Sequence, residues 1–250
     1  MRIALVSDIH GNLPALEAVL EDTRRRDVAR IVNLGDSLSG PLLPLETARF
    51  LMEQDWVQLA GNHERQLLEF DARGGGPSDA HAHARLPPEV FEWMRGLRPA
   101  QALDEEVFLC HGTPRSDTEY FLDSVEGEGT RPATEQELTE RGAHIEHAVI
   151  ACGHTHIPRT VHASRGQLLV NPGSVGLQAY EDDRPRYHRV ATGDAYARYA
   201  TIEKRGGCWH AQIHPVPYDA EPMARLAERH GRPDWAQALR TGTLAASSRP

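Results

Sequence analysis

Seven side chains able to bind metal stand at the ends of five short apolar runs: Asp8 with His10, Asp36, Asn62, His111, and His154 with His156. They offer four imidazoles, two carboxylates and one amide oxygen. That is too many donors for one tetrahedral ion and suits two divalent ions sharing a bridge. A carboxylate has two oxygens and is the natural bridge; Asp36, between the other groups in strand order, is the better candidate. No thiolate is needed, which separates the set from a structural zinc site. Mixed nitrogen and oxygen ligation suits Mn, Fe, Zn, Ni or Co, and Mn is placed first here. Two such ions, two aspartates and a shared hydroxide leave a locally positive well for a phosphate. They can clamp phosphoryl oxygens, lower the pKa of the water between them and stabilise in-line displacement. His63 adjoins Asn62 and is left over, placed to stabilise developing charge or protonate a leaving oxygen.

The elements around these residues must bring them together. Residues 2–6, 30–34, 56–60, 107–110 and 148–152 are apolar runs with little alternation, the pattern of strands buried on both faces. In open α/β sheets the carboxyl ends of strands form the ligand crevice, so five such ends can build one site. Asp8 and His10 are two residues apart, as are His154 and His156, so on extended backbone each pair points one way. Between the strands, Leu13, Leu16, Val19, Leu20 and Thr23 recur at helical spacing behind Asn12, which reads as an N-cap. Residues 45–54 and 87–97 also read as helices, and Thr134 with Glu137 forms a capping-box pattern. Residues 73–83 read as a mobile Gly-rich loop that leaves His81 and His83 in solvent, and 113–131 as polar and irregular. Residues 195–204 and 208–217 alternate like a paired antiparallel set. Residues 220–231 and 233–242 read as short helices closed by glycine, and 245–250 as a disordered tail.

The whole chain narrows the function classes. Its 250 residues carry 27 Lys+Arg against 36 Asp+Glu, a net charge of −9. An acidic surface repels duplex phosphates, which argues against broad nucleic-acid binding but not against a small phosphorylated substrate. Three cysteines with no C-x-x-C form no disulfide framework and fit a reducing compartment. The first residues are too polar for a signal-peptide core, and no run approaches the ~20 apolar residues of a membrane span. A cytoplasmic protein is expected, with residues 1–218 as one domain and 219–250 as a helical extension and tail packed on it. The C-terminal helices either cover the core or form a homo-oligomer interface.

The ordered blocks D-x-H (Asp8, His10), G-D (Gly35, Asp36), G-N-H-E (Gly61 to Glu64), H-G (His111, Gly112) and G-H-T-H (Gly153 to His156) resemble those of the calcineurin-like metallophosphoesterases. The spacing and the N-P-G-S-V-G run at 171–176 are similar to the compact bacterial and archaeal branch, where small phosphodiesterases are found. The five blocks in order are specific; any one alone is weak. The resemblance covers about residues 1–180 and implies an α/β fold, a four-layer αββα sandwich of two packed mixed β-sheets flanked by helices. It implies that Asp8, His10, Asp36 and His156 bind one metal, and that Asp36, Asn62, His111 and His154 bind the other. It also implies that His63 assists the leaving group. The block from Gly35 to Pro41 lacks the Arg with which the family's protein phosphatases hold a phosphomonoester, so a small phosphodiester, such as a nucleotide derivative, is the expected substrate. A phosphomonoesterase and a non-catalytic metal-binding scaffold are the alternatives.

Other residues have plainer readings. Glu64 suits a helix start, where anions are favoured, and the arginines at 24–26 suit a helix end. Arg65, Arg115 and Tyr120 are candidates to touch substrate, but solvated arginines are the default reading. Cys110 and Cys152 sit in buried strands and read as packing residues. Residues 171–176 are either a tight turn or part of the pocket floor, with Gly173 and Gly176 permitting close backbone approach.

Overall fold

The computed structural model describes residues 1–71, 75–142 and 144–246. In chain order its first elements are β1 (Arg2–Val6), α1 (Leu13–Arg25), β2 (Arg30–Asn33), α2 (Pro44–Met52), β3 (Val57–Gln58), α3 (Asn62–Leu68), α4 (Pro77–His83) and α5 (Pro88–Arg95). Then come β4 (Ala100–Ala102), β5 (Val107–Cys110), β6 (Asp123–Glu126), β7 (Gly129–Pro132), α6 (Glu135–Gly142), β8 (Val149–Ala151), β9 (Arg159–His162) and β10 (Leu168–Asn171). The last are β11 (Ala179–Asp182), β12 (His188–Ala191), β13 (Ala197–Arg205), β14 (Cys208–Val216), α7 (Glu221–Arg229) and α8 (Pro233–Thr241).

Strand alternation makes the layers. In β1, Ile3 and Leu5 face one way, packed with Val107, Leu109, Val149 and Val170 of the other sheet. Ala4 and Val6 face the other way, against Leu16, Val19 and Leu20 of α1 and Leu51 of α2. The second sheet repeats the pattern, since Cys110, Ile150 and Leu169 turn outward onto Phe121, Leu122 and Leu138 of α6. Both faces of these strands are therefore covered, which explains the unbroken apolar runs. Each fully buried Leu contributes about 1.5–3 kcal/mol relative to exposure. The result is helices, sheet, sheet and helix, the four-layer sandwich that the family resemblance implies.

The two main sheets run β14-β13-β1-β2-β3 and β4-β5-β8-β10-β9. β1, β2 and β3 are mutually parallel, as are β5, β8 and β10, while β13 and β4 run antiparallel to their neighbours. Parallel strands point their carboxyl ends to one edge, and the motif loops follow those ends. β13 and β14 form the expected antiparallel pair, from Ala197 opposite Val216 to Arg205 opposite Cys208. The Thr134 capping box is present: Glu137 N donates to Thr134 Oγ1, and Thr134 N donates to the Glu137 carboxylate. α7 and α8 pack as a pair on Leu42, Leu177 and Ala179, and Gly242 closes α8 at φ 63.

Three expectations need correction. Within 73–83, residues 77–83 form a helix rather than a loop; 73 and 74 lie outside the described residues. Packing holds it, with His83 stacked on Phe70 at 4.7 Å and His81 against His230 at 4.4 Å. The stretch 113–131 is not wholly irregular, because β6 and β7 pair as a polar hairpin. Strand β3 has two residues where 56–60 was expected; the ladder continues only as an isolated bridge from Leu59 to Arg98. Of the expected tail, 247–250 lies outside the described residues. Among the described residues no helix is long and apolar enough to cross a membrane.

Candidate metal centre

Five site residues occupy left-handed backbone: Asp8 (φ 55), His10 (φ 52), Asp36 (φ 55), His154 (φ 68) and His156 (φ 58). Among the described non-glycine residues only Asp27 joins them. Such a conformation is uncommon for a residue with a Cβ and persists where surrounding structure over-determines it. Backbone hydrogen bonds do so here: Asp8 N to Gly35 O at 2.9 Å, His10 N to Asp36 O at 3.0 Å, Gly153 N to His111 O at 2.7 Å and Gly176 N to Asp8 O at 3.0 Å. The members of each D-x-H or H-x-H pair do converge, but not by strand alternation as expected. Both members of each pair sit in tight turns beyond the strand, and the turns aim them.

The side chains meet in two groups, Asp8 with His10 and His156, and Asp36 with His111 and His154; all are buried except His154, which is partly exposed. In the first, His10 Nε2 lies 3.1 Å from His156 Nε2, and His156 Nε2 lies 3.4 Å from Asp8 Oδ1. In the second, His111 Nε2 lies 3.0 Å from Asp36 Oδ2 and 3.2 Å from Asn62 Oδ1. Backbone carbonyls set the tautomers. His10 Nδ1 donates to Ser39 O at 2.8 Å, His111 Nδ1 to Leu34 O at 2.8 Å and His156 Nδ1 to Leu177 O at 2.7 Å. A carbonyl only accepts, so in each neutral ring Nε2 carries the lone pair. His154 is reversed: Nε2 donates to Thr118 O at 3.1 Å, which leaves Nδ1 for the group. Each group thus gathers acceptor atoms at contact distance, and Asp8 Oδ1 is buried with no hydrogen-bond partner. Clustered lone pairs repel unless a cation or a proton lies among them, and imidazoles fixed through their other nitrogen are the usual metal-binding arrangement. The residues present therefore fit a pair of divalent ions.

The electrostatics agree. Burial alone would raise the Asp36 carboxyl, but His111, His63 and His10 hold it well below the usual carboxylate range. Burial disfavours charge on His111, yet Asp36 and Asp8 outweigh it and lift the imidazole to about 10. Burial and the neighbouring His156 push His10 down to about 4; burial and His111 push His154 to about 3. Positive charge is favoured beside the carboxylates, and neutral, metal-ready imidazoles lie around it.

His63 stands beside this centre. Its backbone N–H donates to Asp36 Oδ1 at 2.9 Å, and its ring meets His10 edge-on at 5.4 Å. Its Nδ1 lies 2.9 Å from Asp79 Oδ1. Burial disfavours its charge, but Asp36, Asp79 and Glu64 outweigh that and raise it to about 9. Glu64 is fully buried and accepts from Asp36 N, Ser37 N and Gly61 N, each at 2.8 Å. It therefore seats the Gly-Asp turn on α3, a role beyond the helix start expected of it. Gly61 has no room for a side chain, since a Cβ there would overlap Asp36.

The structure brings together all eight residues expected at the site, Asp8, His10, Asp36, Asn62, His63, His111, His154 and His156. The sequence reading missed Glu64 as a support, and it missed Ser39 and Asp79, which share a hydrogen bond of 2.7 Å. It also missed Trp235 of α8, whose ring stands edge-on to His10 at 5.9 Å. Asn12 caps α1 by accepting from Ala15 N, and it also donates to Gly176 O at 2.9 Å. Residues 171–176 support the floor: Asn171 donates to Gly153 O at 2.7 Å and Ser174 to Asp8 O at 2.8 Å. Cys110 and Cys152 are buried free thiols within the packing. Arg65 and Arg115 are exposed and paired with Asp117 and Glu119, each at 2.7 Å. Tyr120 is buried against His154, its hydroxyl 2.5 Å from that of Tyr180. The centre opens into a cleft of about 1390 Å³, lined among others by His63, Arg65, Tyr120, Tyr180 and Trp235.

Comparison with known proteins decides the family. The family model for the calcineurin-like phosphoesterase superfamily domain matches residues 1–194. The chain belongs to the calcineurin-like phosphoesterase superfamily. This phosphoesterase is 30% identical to the phosphodiesterase YfcE of Escherichia coli over 186 residues, covering 71% of this chain and 80% of YfcE. It is 23% identical over 253 residues to the uncharacterized protein MJ0912 of Methanocaldococcus jannaschii, covering 93% of this chain and 94% of the relative. Its fold matches the crystal structure of a metallophosphoesterase from Sphaerobacter thermophilus with a TM-score of 0.75 at 24% identity, covering 97% of this chain and 99% of the other. The compact bacterial and archaeal character expected from the motif spacing agrees with these relatives.

Proposed function

We propose that this phosphoesterase is a dinuclear metal-dependent phosphodiesterase acting on small, nucleotide-type phosphodiesters. Asp8, His10, Asp36 and His156 would hold one divalent ion, and Asp36, Asn62, His111 and His154 the other, with Mn first among the metals. When bound, two such ions supply Lewis-acid charge that activates water and neutralises the phosphoryl oxygens. The observation that carries the reading is the convergence of two acceptor clusters on one cleft, with His63 at its side.

The chain's own residues do the rest. Leu34, Ser39 and Leu177 fix three imidazoles through their carbonyls, so the donor atoms are set before ligand arrives. Glu64 fixes the Asp36 turn through three backbone N–H groups. His63 is engaged at Nδ1, so Nε2 is the nitrogen left for the cleft. It donates a proton to the leaving oxygen as the phosphorus–oxygen bond breaks. The kinship with YfcE and the lack of an Arg in the block from Gly35 to Pro41 support a diester over a monoester. Residues 1–218 form the catalytic domain in this reading, and 219–250 an extension packed on it.

The test is turnover by the Mn²⁺-loaded protein of bis(p-nitrophenyl) phosphate against p-nitrophenyl phosphate. Faster release from the diester is expected. Preference for the monoester would replace the substrate class. A folded, metal-loaded protein inert on both esters with Mn²⁺, Zn²⁺, Co²⁺, Ni²⁺ and Fe²⁺ would point instead to a scaffold.

A further inference from the structure

Helix α4 (Pro77–His83) lies outside all the motif blocks, yet it sends one carboxylate to the side of the cleft where His63 stands. Asp79 is buried, 6% exposed. Its Oδ1 accepts at 2.9 Å from His63 Nδ1 and at 2.7 Å from Ser39 Oγ. Ser39 in turn belongs to the Gly-Asp loop, and its carbonyl holds His10. One short segment therefore ties together His63, a ring of the metal centre and the α4 carboxylate.

We propose that Asp79 is a positioning residue for His63, fixing its ring and tautomer so that Nε2 presents the proton to the leaving oxygen. The inference rests on the phosphodiesterase reading above and adds to it a residue from outside its motifs. An ionised carboxylate only accepts, so the hydrogen on Nδ1 is pinned to Asp79 and the ring cannot flip without losing that bond. A buried carboxylate shared by two donors is held in one rotamer, which passes its rigidity to the imidazole. In the step itself, a water oxygen bonds to phosphorus and the phosphorus–alkoxide bond breaks. The alkoxide takes the Nε2 proton. The proton lost by the water goes to solvent, and solvent restores the imidazolium. Asp79 keeps its hydrogen bond to Nδ1 throughout.

α4 is itself held by the C-terminal pair. Arg232 donates to Ser78 Oγ at 2.8 Å, and His230 packs on His81 at 4.4 Å. The position of Asp79 therefore depends on residues far from every motif, which explains why no motif announces it.

The experiment is a leaving-group comparison on the full-length, Mn²⁺-loaded protein. Wild type, Asp79→Asn, His63→Ala and the double variant are assayed on bis(p-nitrophenyl) phosphate and on diphenyl phosphate. p-Nitrophenolate leaves readily without a proton, whereas phenolate gains more from one. Proton donation contributes about 10²–10⁴-fold to a rate, so loss of positioning is expected to lower kcat on diphenyl phosphate by about 10–100-fold. The nitrophenyl ester is expected to lose under about threefold, with bound Mn unchanged. Asp79→Asn is expected to add nothing in the His63→Ala background, because the two residues act as one unit. Asp79→Glu, which keeps the carboxylate, is expected to recover part of the lost rate. Equal losses on both esters, or additive losses in the double variant, would reduce Asp79 to a structural residue. Should Asp79→Asn not fold, Ser39→Ala removes only the hydroxyl that seats the carboxylate. It is expected to show the same bias at smaller amplitude, and its absence would overturn the inference. A wild type inert on both esters would remove the phosphodiesterase reading and this one with it, whereas an active wild type with unbiased variants removes only this one.

Discussion

Single residues carry conformational strain at this site. Asp8, His10, Asp36, His154 and His156 each hold a left-handed backbone, which costs about 1–3 kcal/mol per residue and is sustained by the hydrogen bonds of the turns. Away from the centre, residues can be tested for what burial does to their charge. His214 is buried against Tyr199, its Nε2 2.8 Å from Thr201 Oγ1. Burial, and then the charge of Arg26, push it down to about 4. The unfolded chain takes up the His214 proton near the ordinary value of about 6.5, while the folded chain does so only near 4. Stability from this residue is therefore complete above pH 6.5 and is lost as pH falls through that window. Linkage puts the loss at about 2 kcal/mol by pH 5. His214→Gln keeps an acceptor for Thr201 and has no proton to take up. Thermal melts at pH 7 and pH 5 are expected to show a smaller acid-induced drop for the variant than for wild type. Equal drops would mean that the His214 proton does not couple to folding.

Elements hold the loops against one another, and close backbone contact is how they do it. Gly176 follows β10 and lies so near the Ile9 carbonyl that a Cβ would overlap it. Its N–H donates to Asp8 O, so the same residue pins the first motif loop. Gly176→Ala is expected to lower stability by about 1–3 kcal/mol by overpacking and to weaken Mn binding with it. A variant that melts and binds Mn like wild type would show that this contact does not hold the Asp8 turn. The elements were unequally legible in the sequence. β1, β5 and β8 could be read because burial on both faces writes an apolar run, and the motif loops because imidazoles and carboxylates at such ends have few other uses. α4 was hidden: it has seven residues behind a Gly-rich stretch, and its stability comes from contacts with Phe70, Phe91 and His230 rather than from its own propensity. β6 and β7 were hidden because the hairpin is polar, from Asp123 to Pro132, and pairing rather than alternation defines it. The left-handed turns carried no signal at all, since Asp and His at those positions look like ordinary strand ends.

At the scale of the whole molecule the two main sheets converge at one edge, and neither supplies the candidate centre alone. Asp8, His10 and Asp36 come from loops of the first sheet, and His111, His154 and His156 from loops of the second; contacts such as His111 to Asp36 at 3.0 Å close the gap between them. The C-terminal helices complete one wall of the cleft through Trp235 and hold α4 in place. In the proposed reading the net charge of −9 is no obstacle to an anionic substrate, because two bound cations would set the local field at the shared edge. In the proposed reading this edge would hold two divalent ions, with Asp36 serving both. That reading is tested most directly by the metal content of Mn²⁺-reconstituted protein after gel filtration, beside Asp36→Asn. Two Mn per wild-type chain are expected, and fewer than one in a variant that remains folded. A wild type with one ion or none, or a variant that keeps both, would contradict it.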